Sequence, residues 1–80
     1  MNFELFQDAI LTLDLPDQGL SAGDVGTVVE RHTVAGHEEG YSVEFFDMTG
    51  RTVAVVTVPA GHLRVPTPAD RPSVRVLATR

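Results

Sequence analysis

The chain contains no cysteine and no lysine. Without cysteine it cannot form disulfides, thiolate nucleophiles or cysteine-ligated zinc sites. No apolar run approaches the roughly 18 residues that a membrane-spanning helix requires. A secretory signal peptide has a basic N-terminal segment followed by an apolar stretch, and this sequence does not show that pattern. We therefore expect a cytoplasmic protein that makes no membrane contact.

The length of 80 residues predicts one domain. Hydrophobic residues make up 42% of the chain, a value typical of a globular protein. A chain this short buries only about 60–65% of its unfolded surface, so its core is small. This leaves little room for a deep cleft, and we expect no small-molecule substrate.

The charge is unevenly distributed. The net charge is −5 and all six cations are arginine; residues 1–63 carry −8, whereas residues 64–80 carry +3. An acidic body repels phosphate backbones, which disfavours general nucleic-acid binding. The basic tail has two destinations, its own acidic body or an anionic partner, and tethering favours the first.

The composition is typical of β-structure, because valine, isoleucine and threonine together supply 21 of the 80 residues. The short segment 2–8 is the one helical candidate, and it is too short to be stable alone. Gly26 inside a strand pattern predicts a bulge or a close backbone approach. The fourth strand is apolar on both faces, which is typical of a central or covered strand. Alternation and turn residues predict five strands, at 8–15, 25–34, 41–46, 51–58 and 63–65.

Five short strands with hairpin spacing predict an all-β fold: a small five-stranded SH3-like (KOW-like) antiparallel barrel over residues 1–65. Closing the sheet would remove most exposed strand edges. Residues 66–80 form an extended tail, punctuated by Pro66, Pro68 and Pro72. Residues 73–77 alternate again, so the tail has the option of adding an edge strand.

Several segments resemble a family of small bacterial proteins known only as a domain of unknown function. The resemblance covers about residues 5–65 and implies an SH3-like fold with no established activity. Small genes of this kind often lie beside toxin–antitoxin-type genes, which implies a protein partner. The tail lies outside the resemblance. The segments that carry it are Leu13–Pro16, Asp24–Glu30, Tyr41–Phe45, Asp47–Thr52 and Leu63–Arg64.

The segment Asp24–Glu30, at the start of the second strand, has a functional interpretation as a binding loop. The structural interpretation is stronger: Gly23 and Gly26 permit a turn and a bend, and Asp24 caps backbone N–H groups. The run is not a phosphate loop, because no lysine and no helix follow it.

Titratable groups give no convincing catalytic or metal site. A zinc site needs three or four convergent ligands, and the histidines fall on different connections. The acid pairs fall on turns, where carboxylates keep ordinary pKa values. We therefore expect no enzyme activity, no cofactor and no bound metal. The groups considered are His32, His37, His62, the pair Asp14 and Asp17, and the pair Glu38 and Glu39.

An outward apolar set is the best functional candidate. Phe46 points outward by alternation, near Val53 and Val55, and Ile10 extends the patch. With Arg51, these residues form the predicted interaction surface. Such a patch marks an interface or is covered by a terminus. The covering candidates are Phe3, Phe6, Val74, Val76 and Leu77.

We therefore predict a non-enzymatic module that binds a protein partner or forms a homodimer. The alternative is a KOW-like RNA- or ribosome-associated module that uses Arg31, Arg51 and the tail arginines. The acidic body disfavours that alternative.

Overall fold

A computed structural model of the protein describes residues 2–77. Within this range five antiparallel strands form one sheet in the order β4-β3-β2-β1-β5, which curls into a half-barrel. The all-β prediction is confirmed. The elements are β1 (Asp8–Leu11), β2 (Val25–His32), β3 (Gly40–Phe46), β4 (Thr52–Pro59) and β5 (Leu63–Arg64), with 3₁₀ turns at Pro16–Gln18 and Ala60–His62.

The first strand is shorter than predicted and ends at Leu11. Beyond it the chain enters a long loop, in which Leu15 and Leu20 form an isolated bridge around the Pro16–Gln18 turn. Pro16 supplies the φ angle that suits the start of this turn, and Gly19 ends the turn at φ 70°. The alternating leucines therefore belong partly to this loop. The predicted helical candidate at residues 2–8 is not a helix.

The core lies on the concave side of the sheet. Strand β3 contributes the predicted inner face, with Tyr41, Val43 and Phe45 at 0%, 0% and 2% exposure. Phe3 closes one end of the core by packing edge-on against Tyr41, with ring centroids 5.2 Å apart. The Phe3 N–H donates to the Tyr41 hydroxyl at 3.0 Å, and that hydroxyl donates to Glu39 at 3.2 Å. The N-terminal segment is thereby anchored to β3.

Gly26 marks a close approach between β2 and β3, one of the alternatives that its position in the strand pattern predicts. It pairs with Ala9 on one side and Phe45 on the other. A Cβ atom at Gly26 would lie 2.5 Å from Val43 Cγ1 and 2.9 Å from the Glu44 carbonyl oxygen. Only glycine fits here without displacing β3.

Strand β4 is an edge strand, so the prediction of a central or covered strand is wrong. Its inner residues Val56 and Val58 are buried, but Val53 and Val55 are about half exposed. The two-faced apolar pattern arises because one face closes the core while the other faces outward without cover from residues 2–77.

The described part of the tail, residues 66–77, contains no strand. Residues 78–80 lie outside the described range. Arg64 instead forms a two-pronged ion pair with Asp70, at 2.9 and 2.7 Å. Asp70 also accepts a hydrogen bond from the Thr67 N–H at 2.7 Å. The prolines of the tail lack the backbone N–H groups that a strand would need. Side-chain contacts of Asp70 hold the tail segment after β5 instead.

Replacing Gly26 by alanine should destabilise the protein by about 1–3 kcal/mol, because the new methyl group overpacks against Val43 and the β3 backbone. Gly40→Ala is the matched control, since a Cβ there meets its nearest atom at 3.6 Å. Chemical denaturation should show a lower midpoint for Gly26→Ala and an unchanged or higher midpoint for Gly40→Ala. Equal midpoints for the two variants would contradict the close approach.

Candidate interaction surface

The convex side of the β3–β4 hairpin exposes the apolar group that the sequence predicts. Phe46, Val53 and Val55 are 44%, 54% and 55% exposed. Strand alternation turns them away from the core. A register shift next to Phe46 leaves Val53 without a partner in the ladder, because Phe45 pairs with Ala54 and Phe46 pairs with Thr52. We refer to Phe46, Val53 and Val55, together with Arg51, as the β3–β4 face.

Ile10 does not extend this face, and its predicted place on an exposed patch is corrected. It is only 4% exposed. It lies in β1 between Val25 and Arg64, and β2 separates β1 from β3. Ile10 is buried outside the main core cluster. Strand β1 is thus buried on both sides, which its alternation alone did not reveal.

The tip of the hairpin adds a residue that sequence reasoning missed. Met48 is 87% exposed, at the turn between β3 and β4. A long apolar side chain within a tight turn was the available signal. Its neighbour Asp47 orders this turn, accepting hydrogen bonds from the Thr49 hydroxyl at 2.7 Å, the Thr49 N–H at 2.8 Å and the Arg51 N–H at 3.0 Å.

These bonds favour the charged form of the turn carboxylate. Donation by the Thr49 hydroxyl, with further donation by the Arg51 and Thr49 N–H groups, lowers the pKa of Asp47. Gly50 completes the turn at φ 88°, a left-handed conformation that suits glycine. The hairpin tip is therefore held in one shape next to the exposed apolar residues.

A polar row borders the β3–β4 face. His32 Nε2 lies 2.9 Å from Ser42 Oγ, which lies 2.8 Å from Thr57 Oγ1. Glu30 contacts the same Nε2 atom at 3.7 Å. In a serine–histidine–acid triad the acid orients the ring nitrogen opposite the one that faces the nucleophile. Here Glu30 and Ser42 contact the same nitrogen of His32, so the row satisfies polar groups on neighbouring strands.

Of the second predicted group, Gly23 and Asp24 lie in the turn before β2 and Gly26 lies within β2, and Asp24 makes a long-range contact. Asp24 accepts a hydrogen bond from the Ser21 N–H at 2.9 Å, and Gly23 has φ 96°. Arg75 reaches the same carboxylate from the tail, at 3.1 and 2.5 Å. Its guanidinium also donates to the Gly19 carbonyl at 3.2 Å. Of the two destinations predicted for the basic tail, Arg75 takes the acidic body.

This ion pair changes the acidity of both groups. Burial raises the pKa of Asp24, but the hydrogen bond and charge of Arg75, with the Ser21 N–H, outweigh it and lower the pKa overall. The Asp24 carboxylate raises the pKa of Arg75. Attraction between opposite charges thus holds the tail against the loop before β2.

Within residues 2–77 no group of three histidine, cysteine, aspartate or glutamate side chains is placed to hold a metal ion. One open depression, of about 490 Å³, is lined by Phe3, Glu4, Leu5, Val29, Glu30 and Arg31. The ionisable residues that line it, Glu4, Glu30 and Arg31, are exposed.

None of the helical segments described is long and apolar enough to span a bilayer.

Architecture and surface together define a small all-β half-barrel with an exposed apolar hairpin. The chain belongs to the family described as domain of unknown function (DUF4926), whose model matches residues 5–65. No curated protein and no solved structure matches the chain. The matched range includes the whole sheet and the β3–β4 face, whereas the tail that carries Arg75 lies beyond it.

The Asp24–Arg75 pair predicts a specific pH response. Since its pKa is lowered in the folded protein, Asp24 should stay charged below the ordinary carboxyl value of about 3.9. Contact with Arg75 should persist there and be lost as the pH falls through the folded pKa. Side-chain carboxyl NMR titration should give a higher Asp24 midpoint in Arg75→Ala than in the wild type.

Arg71→Ala is the control, because Arg71 donates to the backbone carbonyls of Pro68 and Asp70 and not to a carboxylate. Its Asp24 midpoint should match that of the wild type. A midpoint that rises equally in both variants would show that tail charge in general, and not this pair, sets the acidity of Asp24.

Proposed function

We propose that this protein is a non-enzymatic, cytoplasmic protein–protein interaction module with an SH3-like (KOW-like) barrel. The β3–β4 face is its binding surface. The observation that carries the proposal is the exposure of Phe46, Val53 and Val55 beside an ordered hairpin tip. About half of each of these residues stays exposed, which separates them from the apolar residues of the core.

The composition of the face suits recognition of a protein. Aromatic residues, phenylalanine included, and arginine are enriched in the cores of protein–protein interfaces, and the face contains Phe46 and Arg51. Val53 and Val55 are stiff at χ1, so little side-chain entropy is lost when they are covered. The ordered turn around Asp47 reduces the ordering cost further. We infer that Phe46 is the main anchor.

The strand order supports the SH3-like assignment. A long loop joins β1 to β2, a hairpin loop joins β2 to β3, and a single 3₁₀ turn leads into β5 beside β1. The resemblance of the sequence to small bacterial genes near toxin–antitoxin-type genes favours a small protein of that type as the partner.

The RNA-binding alternative has less support. Arg64 and Arg75 are engaged by Asp70 and Asp24, and Arg31 lies 3.4 Å from Glu39. Phosphate contacts would have to displace these carboxylates on a chain of net charge −5. Absence of RNA binding in a low-salt gel shift would remove this alternative.

Phe46→Asp should weaken binding of a purified partner about thirtyfold, which corresponds to about 2 kcal/mol for loss of a central anchor. The partner would be captured with the full chain, identified by mass spectrometry, purified and titrated by calorimetry. Phe6→Asp is the matched control, because Phe6 is 74% exposed and lies before β1, away from the hairpin.

The control variant should bind with wild-type affinity, and both variants should keep a wild-type circular dichroism spectrum. Equal loss of affinity in the two variants would reject the β3–β4 face as the binding surface. Failure of the wild-type chain to retain any protein that binds it after purification would reject the proposed function.

A further inference from the structure

One edge of β4 is unpaired, and no charged side chain on this strand discourages pairing with another chain. Within residues 2–77, β4 pairs on one side only, with β3. Its eight residues, Thr52–Pro59, include no charged side chain. Soluble proteins usually protect such edges with charge, proline or a bulge. Here the bulge at Val53 and the proline at position 59 affect the ends, and the pairing with β3 is regular from Ala54 to Val58.

We propose that this edge pairs antiparallel with β4 of a second copy of the chain, about a two-fold axis at Val56. This inference rests on the proposed function, a protein–protein interaction module, and names a second copy of the chain as the partner that binds the edge of β4. About a two-fold axis, if residue i of one copy contacts residue j of the other, residue j of the first copy contacts residue i of the second. Val55 then lies beside the partner's Thr57 on the convex face, and Ala54 lies beside the partner's Val58 on the concave face.

Charge complementarity supports a second copy as the occupant. Arg51 precedes β4 and forms no ion pair with a described residue. At the opposite end of β4, Glu38 accepts a hydrogen bond from the Gly61 N–H at 3.1 Å. Antiparallel pairing brings the start of one strand to the end of the other. Arg51 of each copy therefore comes to the turn that holds Glu38 of the other, and symmetry forms the pair twice.

The size of the contact predicts a weak dimer. The regular stretch Ala54–Val58 is about 17 Å long at roughly 3.3 Å per residue. These five residues on each copy are far fewer than the roughly 20–30 residues on each side of a standard stable interface. Sedimentation equilibrium over about 1 µM to 1 mM covers the range in which such a dimer forms.

The test uses the full chain with charge reversals at the two ends of β4. Arg51→Glu and Glu38→Arg should each raise the dimer dissociation constant about tenfold, because each replaces two attractive pairs by two repulsive ones. The double variant R51E/E38R should restore dimerisation to within about threefold of the wild type. Rescue by the double reversal is an outcome that simple damage to the fold would not produce.

Two controls carry the same change in net charge elsewhere, Arg71→Glu and Glu4→Arg, and should dimerise like the wild type. A monomeric wild-type chain at 1 mM would overturn the proposal, as would single reversals without effect or a double variant that is not rescued.

The variant Phe46→Asp distinguishes the edge contact from binding at the β3–β4 face. It should weaken binding of the other protein about thirtyfold and leave dimerisation unchanged, and loss of dimerisation with Phe46→Asp would reject the edge contact.

Discussion

The close approach of β2 and β3 at Gly26 is the constraint on which the sheet depends. Strand β2 pairs with β1 and β3 at this residue, between Ala9 and Phe45. Because Gly26 has no side chain, Val43 fills the space directly beneath it. Strands β2 and β3 can therefore approach closely where the sheet curls around the core. Val28 and Tyr41, on these two strands, are fully buried.

The same curl leaves β4 with two different environments. Val56 and Val58 complete the core, so β4 must be apolar on its concave side. The convex side has no such requirement, yet Val53 and Val55 remain apolar there. Strand propensity favours valine at both positions. The proposed recognition of another chain gives a further reason, because it would remove their surface from water.

Charge has a separate role at the other end of the sheet. The tail contacts the body through arginine–carboxylate pairs that are partly open to water, and such pairs contribute little to stability. Their chief effect is to set the position of the tail. The Arg64–Asp70 pair shapes the segment after β5, and the Arg75–Asp24 pair joins the tail to the loop before β2. The acidic body and the basic tail thus neutralise each other locally.

The sequence by itself determined the features that depend on neighbours along the chain. Alternation predicted the inner face of Tyr41, Val43 and Phe45, because side chains along a strand repeat every two residues. The glycine within β2 predicted a bulge or a close approach, because it has no side chain. The exposed hairpin residues Phe46, Val53 and Val55 followed from the same repeat.

Only the tertiary structure decided which strand lies at an edge and what covers each outer face. Ile10 and Val55 have similar surroundings in sequence, yet one is buried and the other exposed. The difference depends on strand order and on segments distant in the chain. The contact between Arg75 and Asp24 likewise joins residues 51 positions apart. No local pattern encodes such a pairing, because it forms only after the sheet has brought the two segments together.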